Sequence, residues 1–147
     1  MIRRLSELEF EFGDDWVVED VAPGRLVAHD PHGAEVIVST SLLVGAGAAE
    51  ERQFARAKLI ANALQAAAHA NAHPELEVTI PIAAEERPGF TLHWGVTLTR
   101  DRTTLFAQVI CAARDSVVIL TFEAPNAASA LKRFAGLRDS IRARWLQ

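Results

Sequence analysis

Two neighbouring segments, 105–113 (LFAQVICAA) and 117–122 (VVILTF), are apolar at odd and even positions alike. A strand sends alternate side chains to opposite faces, so a strand that is apolar throughout has to be covered on both sides. That demand rules out a sheet with one wet face at its centre and calls for packing layers above and below. Two more segments carry the half-buried pattern. Leu76, Val78, Ile80 and Ile82 alternate over 75–82; Phe90, Leu92, Trp94, Val96 and Leu98 mark one side of 90–98, with Thr91, His93, Gly95 and Thr97 on the other. The turn signals ERPG, RDRT and ARDS separate the four segments, and links this short make neighbouring strands antiparallel.

The first third of the chain adds strands. Over 7–12, Glu7, Glu9 and Glu11 alternate with Leu8, Phe10 and Phe12, which predicts an apolar row turned inward. The carboxylates are then expected to point outward, as a solvated edge that discourages strand-to-strand aggregation and pairs with arginines of the last helix. GDD turns the chain into 16–18, and 26–29 and 36–39 flank the turn DPHG. A long amphipathic helix is expected over 45–74, with Phe54, Ala57, Ile60, Ala61, Leu64 and Ala68 on one face. A final helix opens at Asn126 as its cap and carries Ala130, Leu131, Phe134, Leu137 and Ile141 at helical spacing, with Trp145 continuing the stripe. The expected fold is therefore α+β: one domain over 1–147, an antiparallel sheet of about six to seven strands with a helix packed on each face, in the order βββαββββα.

Length and composition agree with a self-sufficient core. A 147-residue chain buries roughly 70% of its unfolded surface. The single Cys111 has no partner for an internal disulfide and fits a reducing compartment. MIRRLSELEF turns acidic where a signal peptide would turn apolar, and the longest apolar runs are strand-sized, so a cytoplasmic protein with no membrane insertion is expected. A net charge of −4 disfavours nucleic acid as a partner.

Chemistry-bearing residues are few. His29, Asp30 and His32 lie together in HDPH, and His69 and His73 are one helical turn apart in HANAH; both sets have the donor types of a metal site. HANAH lacks the glutamate of a zinc-protease motif, and HDPH needs a fourth ligand from elsewhere. GAGAAE, 45–50, lacks the third glycine of a dinucleotide fingerprint and the Gly-Lys of a phosphate loop, so no cofactor is expected. Cys111 with His93 as base, or Ser39 or Ser41 with His29 and Asp30, would make a nucleophile pair, but no nucleophile-elbow pattern surrounds the serines and the cysteine's strand reads as core.

The element order and several local matches resemble the PsbP-like superfamily, which includes PsbP and the Ran-binding Mog protein. The matches are a first strand ending in a turn and Trp16, VIVS at 36–39 before the long helix, Gly89 opening the meander, and ILTFEAP at 119–125 leading to a helix with Phe134, Leu137 and SIR at 140–142. Within it the chain looks most like bacterial cytosolic members such as the Eag-type chaperones of type VI secretion effectors, although GDD stands where a proline usually precedes the first tryptophan. The resemblance implies a non-enzymatic adaptor or chaperone that shields apolar segments of a secreted effector, as a homodimer. It supplies no catalytic residues. On that reading Trp16, Trp94, Phe106 and Ile110 are the expected partner-binding anchors or their support. Two alternatives stay open: a small metal-dependent hydrolase on His29/His32 or His69/His73, and an immunity or inhibitor protein.

Overall fold

The computed structural model describes residues 2–5, 8–42, 76–112 and 116–143. The doubly apolar segments become the middle of a sheet, as their pattern requires. Strands β3 (Val17–Ala22), β4 (Arg25–His29), β5 (Glu35–Leu42), β6 (Leu76–Arg87), β7 (Phe90–Thr99), β8 (Thr104–Ala112) and β9 (Ser116–Pro125) form a seven-stranded sheet in the order β3-β4-β5-β9-β8-β7-β6. Every neighbouring pair is antiparallel. Helix α1 (Ala127–Ser140) crosses one face and packs on β8 and β9.

The core lies between α1 and this sheet. Leu105, Ala107, Val109 and Cys111 of β8, Val118, Leu120, Phe122 and Ala124 of β9, and Val36 and Val38 of β5 meet Ala127, Ala130, Phe134 and Leu137 of the helix. Phe122 and Phe134 stack with ring centroids 5.6 Å apart, and Trp94 joins them 6.1 Å from Phe134. Buried side chains such as these each contribute roughly 1.5–3 kcal/mol. The opposite face carries the even-numbered residues of β8, and there Ile110, with Val117 of β9, is fully buried.

Several expectations need correcting. The strand order is richer than βββαββββα, because ten strands and one helix occur among the described residues, and the first strands belong to a separate sheet. In it β1 (Ile2–Leu5) and β10 (Arg142–Ala143) flank β2 (Leu8–Glu11), and Leu8 and Phe10 close the helix-side core from the far end. The helix expected over 45–74, with His69 and His73, lies outside the described residues, so one helix of the expected two is described. The final helix stops at Ser140 rather than running toward Trp145: Ile141 is already extended, and the Arg87 guanidinium donates to the carbonyls of Arg138 (2.8 Å) and Ile141 (3.3 Å). A cation on the last free carbonyls is favourable and makes a sharp stop. Asn126 holds the N-cap position but in a left-handed conformation, φ 58°, with no side-chain cap; its carbonyl instead accepts from the amides of Ser129 and Ala130.

Glu9 is the largest departure. It is buried rather than solvated, because β2 is the middle strand of its sheet. Register sets Arg4 of β1 on one side and Arg142 of β10 on the other, and their Nε atoms donate to the two carboxylate oxygens at 2.9 and 3.1 Å. The expected tie to the C-terminal arginines exists, through Arg142, two residues beyond the end of the helix. Glu11, at the end of β2, is exposed as expected.

Candidate binding groove along the C-terminal helix

At 100° per residue, Ser129, Arg133, Gly136 and Ser140 fall on one flank of α1, beside the core stripe of Ala130, Phe134 and Leu137. That flank faces the turn after β2. In the turn the Trp16 amide donates to the Gly13 carbonyl at 3.1 Å, which folds the indole back over the backbone. A Cβ at Gly13 would meet Asp15 Oδ1 at 2.9 Å and Trp16 Cδ1 at 3.2 Å, so a larger residue would have to push the Asp15 side chain and the indole aside. Trp16 is half-buried and rests on Phe12, with ring centroids 5.4 Å apart. Between turn and helix lies a groove of about 180 Å³ lined by Glu11, Phe12, Gly13, Trp16, Arg133, Gly136 and Leu137. Its floor is aromatic, and Gly136 contributes no side chain to its wall.

Arg133 also lines a second groove, of about 370 Å³, with His32, Asn126, Ser129 and Lys132. The two depressions adjoin along the same flank. The loop between β4 and β5 reaches the larger groove through His32, and Asp30 holds that loop: its Oδ1 accepts from the amides of His32 (2.9 Å) and Ala34 (2.8 Å). Gly33 completes that loop at φ 89°, where a Cβ would press on Pro125 at 3.2 Å. Asp30 Oδ2 lies 3.1 Å from Arg133 Nη1, an ionic contact outside hydrogen-bond geometry. Arg133 Nε and Nη2 are buried and have no hydrogen-bond partner among the described residues. The larger groove is lined by Lys132 and Arg133 and by no carboxylate, while the Asp30 carboxylate lies against Arg133 just outside it.

The four expected anchors do not share a surface. Trp16 alone lines this groove. Trp94 lies farther along α1, under the Arg138 guanidinium, which sits 4.2 Å above its ring, so a cation covers the indole face. Phe106 and Ile110 point away from α1, Phe106 half-buried and Ile110 fully buried, which makes Ile110 packing rather than contact surface. The histidines separate as well. His29 projects from the sheet face opposite α1 and pairs with Glu35 at 3.1 Å, whereas His32 belongs to the groove. Among the described residues no group of three or more His, Cys, Asp or Glu is gathered as a metal-ion site. Cys111 points into the helix-side core and His93, paired in register with Ile110, points the other way, so the two do not meet. Burial pushes the Cys111 thiol up to about 12 against a slight opposing effect of Arg87, which keeps it protonated and unreactive.

Sequence reasoning named Trp16, which lines the smaller groove, but not Arg133, Gly136 or the part played by Asp30. A lone glycine inside a helical stripe was the available signal, since glycine there is unfavourable without a reason.

No family model matches the sequence, and no curated protein matches it either. Solved structures do match. The cyanobacterial PsbP (CyanoP) of Synechocystis sp. PCC 6803 aligns over 93% of this chain and 86% of its own, at 12% identity and a TM-score of 0.57. LpqN of Mycobacterium tuberculosis, described as involved in cell envelope biogenesis, aligns over 91% of this chain and 81% of its own, at 16% identity and a TM-score of 0.55. A Bacteroides thetaiotaomicron protein aligns over 94% of this chain but 45% of its own, at 12% identity and a TM-score of 0.52. The fold is thus PsbP-like. Identity this low carries the fold and not the activity. No helix among the described residues is long and apolar enough to cross a membrane.

Proposed function

We propose that the chain is a non-enzymatic protein-binding adaptor or chaperone that docks its partner along the α1 flank, with Trp16 as anchor. One observation carries this reading: an indole seated on Phe12 and folded back by the Gly13 turn is left partly exposed at the rim of a groove. A pre-positioned aromatic ring offers a partner large apolar area at little entropic cost, the property of interface anchors. The finer form of the proposal, a cytoplasmic homodimer that chaperones a type VI secretion effector, rests on the sequence resemblance. The second sheet face, where Ile110 and Val117 are fully buried, is then a packed face and not the docking surface.

The test is affinity capture from the native host with the wild-type chain and with Trp16→Ala, each first shown to be folded by circular dichroism. A specific protein retained by the wild type and lost by the variant is the expected result. A partner held equally by both, or no specific partner at all, overturns the proposal.

A further inference from the structure

We infer that the two adjoining grooves on the α1 flank form one site for a partner segment that presents a large apolar side chain next to a carboxylate. This rests on the protein-binding reading above and specifies what such a partner has to display. The smaller groove takes the apolar side chain against Phe12 and Trp16, and Arg133 with Lys132 takes the carboxylate.

Three independent features point there. The first is Gly136. Glycine is the least favourable residue after proline inside a helix. Gly136 is not among the glycines with positive φ, and a Cβ built on it meets nothing within 4 Å. Neither backbone conformation nor close packing calls for glycine at this position, and its effect is to keep the groove beside Trp16 open.

The second is the free edge of Arg133. Nε and Nη2 lie on the same side of the guanidinium, the fork that grips a carboxylate with two parallel hydrogen bonds. Asp30 meets the other nitrogen, Nη1, and spends its Oδ1 on the amides of His32 and Ala34. The guanidinium is thereby anchored with its carboxylate-binding edge unsatisfied. Buried donors without acceptors are costly, so a carboxylate entering past a small swing of the side chain relieves a penalty already present in the free protein.

The third is charge. The chain is acidic overall, yet the lining of the larger groove holds Lys132 and Arg133 and no acid, and the first turn of α1 has no acidic residue to compensate the helix dipole. Asp30 already faces Arg133 and Glu11 lines the smaller groove, so the positive end of the site is the larger groove at Lys132, and that is where the partner's carboxylate is expected.

The experiment titrates the full, ¹⁵N-labelled chain with three acetylated tripeptides: Gly-Gly-Phe with a free C-terminus, Gly-Phe-Glu as the C-terminal amide, and Gly-Gly-Phe as the C-terminal amide. The Trp16 indole N–H and the amides of Gly13 and Gly136 report binding. At least one acidic peptide is expected to shift these signals, with the neutral amide weaker by about tenfold or more. Which acidic peptide binds more tightly distinguishes a chain terminus from an acidic side chain as the source. Gly136→Leu, which grows into open space, is expected to weaken binding by about tenfold, and the exposed Lys132→Glu by several-fold. Equal binding of the neutral and acidic peptides, no shift with any of them, or full affinity in both folded variants overturns the inference. A partner captured by Gly136→Leu but lost by Trp16→Ala would refute this site and leave the adaptor reading standing.

Discussion

Replacing Glu9 with glutamine keeps the shape of a buried side chain and removes its charge. The carboxylate is 3% exposed, while its partners Arg4 and Arg142 are 60% and 56% exposed. Hydrogen bonds to a charged group contribute about 1.5–3 kcal/mol each where both partners are desolvated. Here water takes up much of what each guanidinium loses, and glutamine escapes the desolvation penalty that the carboxylate bears, so the two contacts do not add at full value. We expect Glu9→Gln to cost about 1–2 kcal/mol, well short of the ~3–5 kcal/mol of stranding one partner of a fully buried pair. For a chain of this length that lowers the melting temperature by roughly 3–6 °C. Urea unfolding gives the value directly, and a cycle with Arg142→Gln should return a coupling of about 0.5–1 kcal/mol between β2 and β10. The deficit should shrink between about 0.1 M and about 1 M salt, because both arginines are open to screening. If Glu9→Gln unfolds within about 0.5 kcal/mol of the wild type at low salt, the carboxylate does not clamp the three-stranded sheet and the reasoning fails.

Asp30→Ala leaves two backbone N–H donors without their side-chain acceptor and a half-buried guanidinium without its counter-charge, so it should cost about 2–3 kcal/mol, whereas Asp30→Asn, which keeps Oδ1, should cost about 1 kcal/mol by the same urea assay. The Cys111 thiol is held up at about 12 from its ordinary 9.0. The folded state therefore keeps a proton that the unfolded chain gives up. Its contribution is complete below the unfolded value and is lost as pH rises toward the folded one, so stability should fall through the alkaline range in the wild type and less in Cys111→Ala, read as urea midpoints against pH. Gly136→Ala should stabilise the chain by about 0.5–1 kcal/mol, because nothing opposes the new methyl group; a loss of stability would mean that the glycine has a packing role.

The parts of the fold legible in the sequence are those fixed by local pattern. Segments 105–113 and 117–122 announced the sheet centre because doubly apolar strands have few other places to go. Alternation also placed Leu8, Phe10 and Phe12 inward, and all three are buried. The same alternation misplaced Glu9, since period two says which face a residue takes and nothing about whether a strand has neighbours on both sides. Arg4 is five residues from Glu9, but Arg142 is 133 residues away, and no window along the chain sees it. The end of α1 was missed for a similar reason: helical spacing runs through Ile141, and what stops the helix is Arg87, 51 residues before the Arg138 carbonyl it caps. In the candidate site HDPH read as a set of ligands, whereas its aspartate spends one oxygen on its own turn and sets the other against Arg133.

The two flanks of α1 differ in how well they obey local rules. On the flank toward Trp94, Arg138 lies over the indole and bonds Asp139, and Arg87 caps the helix end, so the polar groups there are matched. On the flank toward Trp16, a glycine interrupts the helix interior, the Asn126 cap is left-handed without a side-chain bond, and Arg133 keeps two unpaired donors. Buried unpaired atoms also occur at Arg3 and His93, but on this flank they coincide with a helix-interior glycine and a left-handed cap beside a partly exposed tryptophan, a combination that natural sequences keep where function outweighs stability. The stabilising substitution Gly136→Ala and the groove-filling Gly136→Leu act on the same atom position, so together they separate the two effects. A flank kept for binding should gain stability from both residues in proportion to their helix propensity and lose ligand in proportion to their size.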